Sequence, residues 1–247
     1  MYMKNDLKTS FIRSAQFILG LSLIISAVIF SASFYSSRSS NDVISVTGSA
    51  SKEVVADNAK FVGNFSRVVK LSNLKAGYAQ MTTDLKLVKD FLASQGILDG
   101  DVTISTVSME QNWDYDRNVQ TEKEFTLRQT IEVVSNDTAK ITTLAQNING
   151  LINKGVIFAV YPVEYYYKNL PELRVSLLSD AVRDAQNRAE QIVSRTGKKV
   201  GALTSASSGV VQVLPSNSLE ISDYGSYDTS KINKTVMVTV KASFKIR

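Results

Sequence analysis

The sequence predicts an α+β fold: a mainly antiparallel sheet with helices packed on one side, plus an N-terminal transmembrane helix. Three observations lead there. Several stretches of the 247-residue chain alternate apolar and polar residues, as half-buried strands do. Three others carry apolar residues three and four apart, as helices lying on a sheet do. Residues 17–35, FILGLSLIISAVIFSASFY, contain no charged residue at all.

As a helix, the run 17–35 is close to the length that crosses a bilayer core of ~30 Å. Lys4, Lys8 and Arg13 precede it against Asp6 alone, which places the N-terminus in the cytoplasm and the rest across the membrane. The run exceeds the apolar core of a cleavable signal, about 7 to 15 residues, and so favours an uncleaved anchor, although Ser31, Ala32 and Ser33 imitate a cleavage site. Its basic flank and the Ser-rich segment SSRSSND argue against a buried core helix. The organisation is therefore a tail and anchor at 1–35, a linker at 36–42 and one domain at 43–247.

The domain opens with an apolar strand running into Gly48. A dinucleotide loop would need three spaced glycines and a helix directly after. Here KEVVADNAKFVGNF continues as strand, so Gly48 reads as a turn or bulge position. In KFVGNFSRVVKL, Phe61, Phe65, Val69 and Leu71 point inward. Leu74, Tyr78, Met81, Leu85, Val88 and Leu92 then mark a helix ended by Gly96. DVTISTVSME changes phase between Val102 and Ile104 on one side and Val107 and Met109 on the other, which a β-bulge near Ser105 or Thr106 reconciles. KEFTLRQTIEVV puts Phe125, Leu127, Ile131 and Val133 inward.

A second helix spans about 138–152, capped by Asp137, with Ile141, Leu144, Ala145, Ile148 and Ile152 inward and Gly155 after it. GVIFAVYPVEYYYKN reads as a strand whose Pro162, lacking an N–H, requires a sheet edge or a bulge. A third helix, about 171–196, opens at Pro171 and closes at Gly197, with Leu178, Val182, Ala185, Ala189 and Ile192 as its inner stripe. KKVGALTSASSGVVQVL supplies another strand or two, and 215–233 is polar and loop-like. In the last strand Val236, Val238, Val240, Ala242, Phe244 and Ile246 share one face, with Thr235, Thr239, Lys241 and Lys245 on the other.

Composition narrows the chemistry. With 28 Lys and Arg against 23 Asp and Glu the chain is mildly basic, and no basic cluster interleaves with aromatics, so no nucleic-acid partner is expected. The sequence has no histidine and no cysteine, which removes Ser-His-Asp triads, imidazole and thiolate metal sites, thiol catalysis and disulfides. Asp99 and Asp101 lack the acidic series of a calcium loop. SRTGKKVG lacks the earlier glycine and the preceding strand of a phosphate loop, and reads as a helix C-cap. Tyr161, Tyr165, Tyr166 and Tyr167 gather on one strand as covering surface or a subunit contact. No catalytic, cofactor or metal residue is assigned.

ISVTGSASKEVVADNAKFVGNFSRVV, GILDGDVTISTVSM and LLSDAVRDAQNRAEQIVSRTGKKVGAL resemble, in order, three landmarks of the SIMPL-domain family: a strand leading through an acidic turn to a second strand, a Gly-Ile acidic turn into a strand, and an Ala-studded helix followed by a glycine turn. Ala56 stands where the family turn usually has proline, and the loop before the last strand lacks the Pro-rich form often found there. The resemblance implies a bacterial protein exported to the periplasm or cell surface, without accepted catalytic residues or cofactors. It further implies ring-like or cage-like homo-oligomers and a link to envelope or oxidative stress. The expectation is an inner-membrane protein anchored by 17–35 that acts as an oligomeric scaffold. The strand at 156–167 is then expected at a subunit interface, with Tyr166 covered by a neighbour and Glu164 or Lys168 at the rim. The alternatives are a small-ligand or peptide-binding module with an apolar tyrosine-lined pocket, and a hydrolase using carboxylates or a Ser-Lys pair.

Overall fold

A computed structural model describes residues 3–39, 42–113, 122–218 and 224–247. In chain order the elements are α1 (Met3–Ser39), β1 (Val43–Val55), β2 (Asn58–Lys70), α2 (Leu74–Ser94), β3 (Val102–Ile104), β4 (Ser108–Asn112), β5 (Glu124–Ser135), α3 (Thr138–Gln146), α4 (Asn149–Ile152), β6 (Phe158–Val160), β7 (Glu164–Tyr166), α5 (Leu170–Ser194), β8 (Val200–Ser208), β9 (Gln212–Pro215), β10 (Ser226–Tyr227) and β11 (Asn233–Ile246). The fold is α+β, as the alternation and helical spacing predict. Its strands form two sheets, ordered β1-β11-β9-β10 with β8 also beside β11, and β3-β5-β2-β6 with β4 beside β5 and β7 beside β2. One described pairing, β10 with β9, is parallel. The chain divides into two compact units, and β1, α5 and β11 each contribute to both.

The larger unit, residues 49–181 and 208–239, is built on the β2–β5 ribbon, whose antiparallel register runs unbroken from Ala59↔Ser135 to Lys70↔Glu124. Both strands flanking it are interrupted. Between Ile104↔Ile131 and Ser108↔Arg128, residues 105–107 oppose only Thr130 and Gln129 of β5. The extra residue is the expected bulge, and it brings both Val102 and Val107 against the core. On the other side, Val160 pairs with Gly63 and Glu164 with Lys60, so 161–163 oppose two residues of β2. Pro162 sits in that second bulge, where its missing N–H leaves no ladder bond broken.

The inward face of the ribbon carries Phe61, Phe65, Leu127, Ile131 and Val133, packed with Met81, Val88, Phe91 and Leu92 of α2 and Ile141 and Leu144 of α3. Phe158 stacks on Phe61 and Phe65 with ring centroids 6.3 and 6.5 Å apart. Gly63 makes this stack possible, because a Cβ there would lie 2.2 Å from the Phe158 ring. A second cluster in the same unit joins Leu173 and Leu177 of α5 to Val54, Val213, Val236 and Val238.

Several side chains depart from the predicted pattern. Leu71 leaves the inward face because the chain turns into a short 3-10 segment at Leu71–Asn73, and it is exposed. Tyr78 and Met109 are also exposed. The second helix breaks at 147–148 into α3 and α4, and the break rotates Leu151 rather than Ile152 into the core. In α5 the buried row is Leu173, Leu177, Ala181, Ala185, Ala189 and Val193, stepping by four throughout, so Ile192 is exposed and Leu178 and Val182 are only half-buried. Gly48 is neither a turn nor a helix start: β1 passes straight through it, and the chain turns at Ala56 and Asp57.

The smaller unit comprises 1–48, 182–207 and 240–247. Here the starts of β1 and β8 and the end of β11 are tied together: Ile246 N donates to Asp42 O at 2.8 Å, and Lys199 N to Arg247 O at 2.6 Å. Gly197, with φ +72°, ends α5 as predicted. Helix α1 extends to Ser39 and so includes part of the segment read as linker, of which residues 40 and 41 lie outside the described residues. Every side chain from Phe17 to Tyr35 is exposed.

Candidate functional site

The tyrosine strand β7 anchors the most elaborate polar cluster of the larger unit. Along β7 alternate residues face opposite ways, so Tyr165 enters the core while Glu164 and Tyr166 stand on the other face. Tyr166 donates its hydroxyl proton to Glu164 Oε2 at 2.6 Å, and Lys60, one strand over, pairs with the same oxygen at 2.8 Å. The bond to Lys60, then that to Tyr166, holds the Glu164 carboxyl below its usual range. The same contacts push Lys60 and the Tyr166 phenol above theirs, the bond to Glu164 being the largest cause in each. Lys168 is held separately, its N donating to Asp57 Oδ1 at 2.9 Å and its Nζ to Asn136.

The outer edge of β7 is covered from within the chain. Tyr165 N donates to Thr229 O at 2.8 Å and Tyr167 N to the Tyr227 hydroxyl at 3.1 Å, while the Tyr227 ring lies 6.0 Å from that of Tyr166. The covering loop is fixed by Asp228, whose carboxylate accepts from Ser230 Oγ at 2.7 Å, Ser230 N at 3.1 Å and Lys231 N at 3.1 Å. Beneath it Lys234, 0% exposed, donates Nζ to the Asp228 carbonyl and stands 3.4 Å from its carboxylate and 5.9 Å from the Tyr227 ring centroid. Burial lowers the Lys234 ammonium below its ordinary value against the opposing pull of Asp228. Burial pushes the Asp228 carboxyl up, but the bonds from Ser230 and Lys231 outweigh it and leave the group lowered.

A second buried charge lies under α2. Asp84, 1% exposed, receives a two-pronged bond from Arg67, 2.7 and 2.9 Å long, and a third from Gln80 Nε2 at 3.1 Å. Arg67 also donates to Gly155 O at 2.9 Å, so one guanidinium ties β2, α2 and the turn after α4. The bond to Asp84 holds the Arg67 guanidinium above its ordinary value.

The bonds in these clusters tie neighbouring strands, helices and loops together. Lys234 and Ser230 both donate to the Asp228 side chain, so the lysine lone pair that would activate a serine is not presented to it. The groove beside Tyr165, about 390 Å³, is lined otherwise by Pro215, Ser216, Ser230, Lys231, Ile232 and Asn233. Tyr165 is the sole tyrosine in that lining, which differs from the apolar tyrosine-lined pocket that a binding module would show. Asp99 and Asp101 belong to a short 3-10 turn, and among the described residues no group of three His, Cys, Asp or Glu is placed to hold a metal ion.

Sequence reasoning brought Glu164, Tyr166 and Lys168 to one edge but missed Lys234, Arg67 and Asp84. A signal for each was present. Lys234 is in phase with Val236 and Val238, Arg67 with Phe65 and Val69, and Asp84 falls three residues after Met81 and four before Val88.

The model of the SIMPL family, described as a protein of unknown function (DUF541), matches residues 44–244. The chain belongs to the SIMPL family. No curated protein matches it.

Proposed function

We propose that this SIMPL-family chain is a non-enzymatic, membrane-anchored scaffold whose domain stands in the periplasm or outside the cell. The observation that carries the reading is the helix through Phe17–Tyr35, whose apolar side chains find no cover in the protein. Leaving one Leu, Ile or Phe in water rather than burying it costs about 1.5–3 kcal/mol, and a bilayer removes that cost for the whole run. The basic residues before the run orient it with the N-terminus in the cytoplasm. On the domain, the described charge clusters hold strands and loops in place, which supports a scaffold over a catalyst.

Assembly is the second part of the proposal. Copies tethered in one membrane plane meet at raised local concentration. The edge at 156–167 is the contact: β6 is an outer strand that ends on exposed Val160 and is flanked by exposed Ile157 and Tyr161, and Tyr166, Glu164 and Lys168 stand beside it at the covered β7. The setting we assign is envelope or oxidative stress, following the resemblance; a deletion strain that tolerates peroxide and envelope-damaging detergent as wild type does would remove it. Native mass of the detergent-extracted full chain tests the rest. The expected result is a multiple of the uncleaved 27.1 kDa chain that falls in Tyr161→Asp and Tyr166→Asp with circular dichroism unchanged. A chain beginning near Ser33 to Ser39 defeats the anchor, and an unchanged mass in both variants defeats the edge.

A further inference from the structure

The end of the smaller unit that lies next to the anchor is basic. Arg195, Lys198 and Lys199 follow α5, and Lys245 and Arg247 close β11; all five are exposed. The backbone bonds between Lys199 and Arg247 and between Ile246 and Asp42 bring these segments together at the point where β1 leaves the helix. Two acidic residues stand among them: Asp42, paired with Lys198 at 3.1 Å, and Glu190, which lines the same depression as Lys198 and Lys199. Arg195, Lys199, Lys245 and Arg247 have no ion pair among the described residues.

The tether is short. Four residue steps from Tyr35 to Ser39 are helical and three more reach Asp42, so Asp42 lies at most about 17 Å along the chain from the end of the apolar run. The headgroup layer extends ~5–8 Å beyond the hydrocarbon. The remaining gap is on the order of the ~10 Å screening length at 0.1 M salt, within which basic side chains are drawn to an anionic surface.

We propose that the Arg195–Lys199 turn and the Lys245–Arg247 end form a membrane-contact surface that docks the domain onto anionic lipid headgroups of the bilayer its own helix crosses. The docking removes the swivel that a single tether leaves to the smaller unit. It rests on residues 17–35 remaining as an anchor.

Because the chain has no cysteine, one introduced thiol gives a unique label. The full chain carries a fluorophore at Thr196→Cys, in the basic turn, or at Ser207→Cys, roughly 23 Å further along β8. It is reconstituted into vesicles containing headgroup-nitroxide lipid, in either phosphatidylcholine alone or phosphatidylcholine with one-third phosphatidylglycerol. The expected result is quenching at Thr196 at least twofold stronger than at Ser207 in the anionic vesicles. It should fall to the Ser207 level in phosphatidylcholine, in molar salt, or when Arg195, Lys199 and Lys245 are all changed to Gln. Equal quenching at the two sites, or quenching at Thr196 that ignores lipid charge and the triple change, overturns the proposal. Inorganic phosphate that releases Thr196 more than chloride at matched ionic strength also overturns it, reassigning the surface to a free phosphate ion. Co-flotation and intact mass read the anchor independently: a chain that neither floats nor retains residues 1–35 fails at the anchor, before docking is at issue.

Discussion

The Arg67–Asp84 clamp and the Lys234–Asp228 anchor each bury one member of an ion pair, but the opposite one. In the clamp the acid is buried and the base reaches it from a partly exposed position. In the anchor the base is buried and the acid lies nearer the surface. A carboxylate accepts several bonds, and the planar Arg fork with Gln80 supplies three in fixed geometry. An ammonium only donates, and Lys234 is served by a carbonyl, a more distant carboxylate and an aromatic face. The clamp therefore leaves its charge fully used, whereas the anchor retains a desolvation penalty that lowers the Lys234 pKa.

The largest expected effect is on the clamp. Arg67→Ala strands Asp84 in the core and should cost about 3–5 kcal/mol in urea unfolding, while Arg67→Met combined with Asp84→Leu should recover most of that loss. A single-mutant cost below about 1 kcal/mol would show that water or a rearranged neighbour satisfies Asp84.

Lys234→Met comes next and breaks the symmetry of the comparison. It keeps the apolar stem and removes a penalised charge, so global stability should stay within about 2 kcal/mol of wild type. The loop at 227–232 loses its tie, and its amide exchange and proteolysis should accelerate while β2 and β5 stay protected. The alkaline limb separates the lysines further. Below the lowered folded pKa of Lys234 both states are charged. Between it and the unfolded value near 10.5 the unfolded chain holds more protons, so this group makes stability rise with pH. Lys60 and Tyr166, both raised, contribute stability that is lost as pH climbs through their folded values. Lys234→Met should thus steepen the alkaline fall in melting temperature; a fall unchanged from wild type would show that Lys234 does not titrate differently in the folded chain.

The smallest effect belongs to the surface triad. Glu164→Gln, on a side chain more than one-third exposed, should cost about 0.2–1 kcal/mol, less in high salt. Because the Glu164 pKa is lowered below 4.5, its contribution is full above that value and lost as pH falls through the folded one. The variant should flatten the acid limb of the melting curve between those two values, and an acid limb as steep as wild type would exclude the triad as its source.

Much of this was legible in period and punctuation. The alternation of Val236 to Phe244, the spacing of α2, the Asp137 cap whose Oδ1 accepts from Lys140 N at 2.9 Å, and the positive-φ glycines at 96, 155 and 197 are all local facts. The phase change across DVTISTVSME carried the bulge at 105–107, and Pro162 carried the broken edge strand. The candidate cluster was only partly legible: Glu164, Tyr166 and Lys168 adjoin in sequence, but Tyr227, Asp228 and Lys234 come from about sixty residues downstream.

The amino-acid sequence by itself determined the family, the α+β class, the apolar helix, the edge position of β6 and β7 and most inward faces, because each depends on residues within a few positions of one another or on a motif read in order. Tertiary structure alone decided which charges are buried and how an edge is closed. A lysine on a strand reads as solvent-facing until the loop that covers it is in place. The i+4 row of α5 likewise cannot be told from a 3.6-residue stripe until a packed face selects Val193 over Ile192. Both outcomes depend on which distant segments desolvate a side chain, and that cost is set by the three-dimensional neighbours rather than by the residues beside it in the chain.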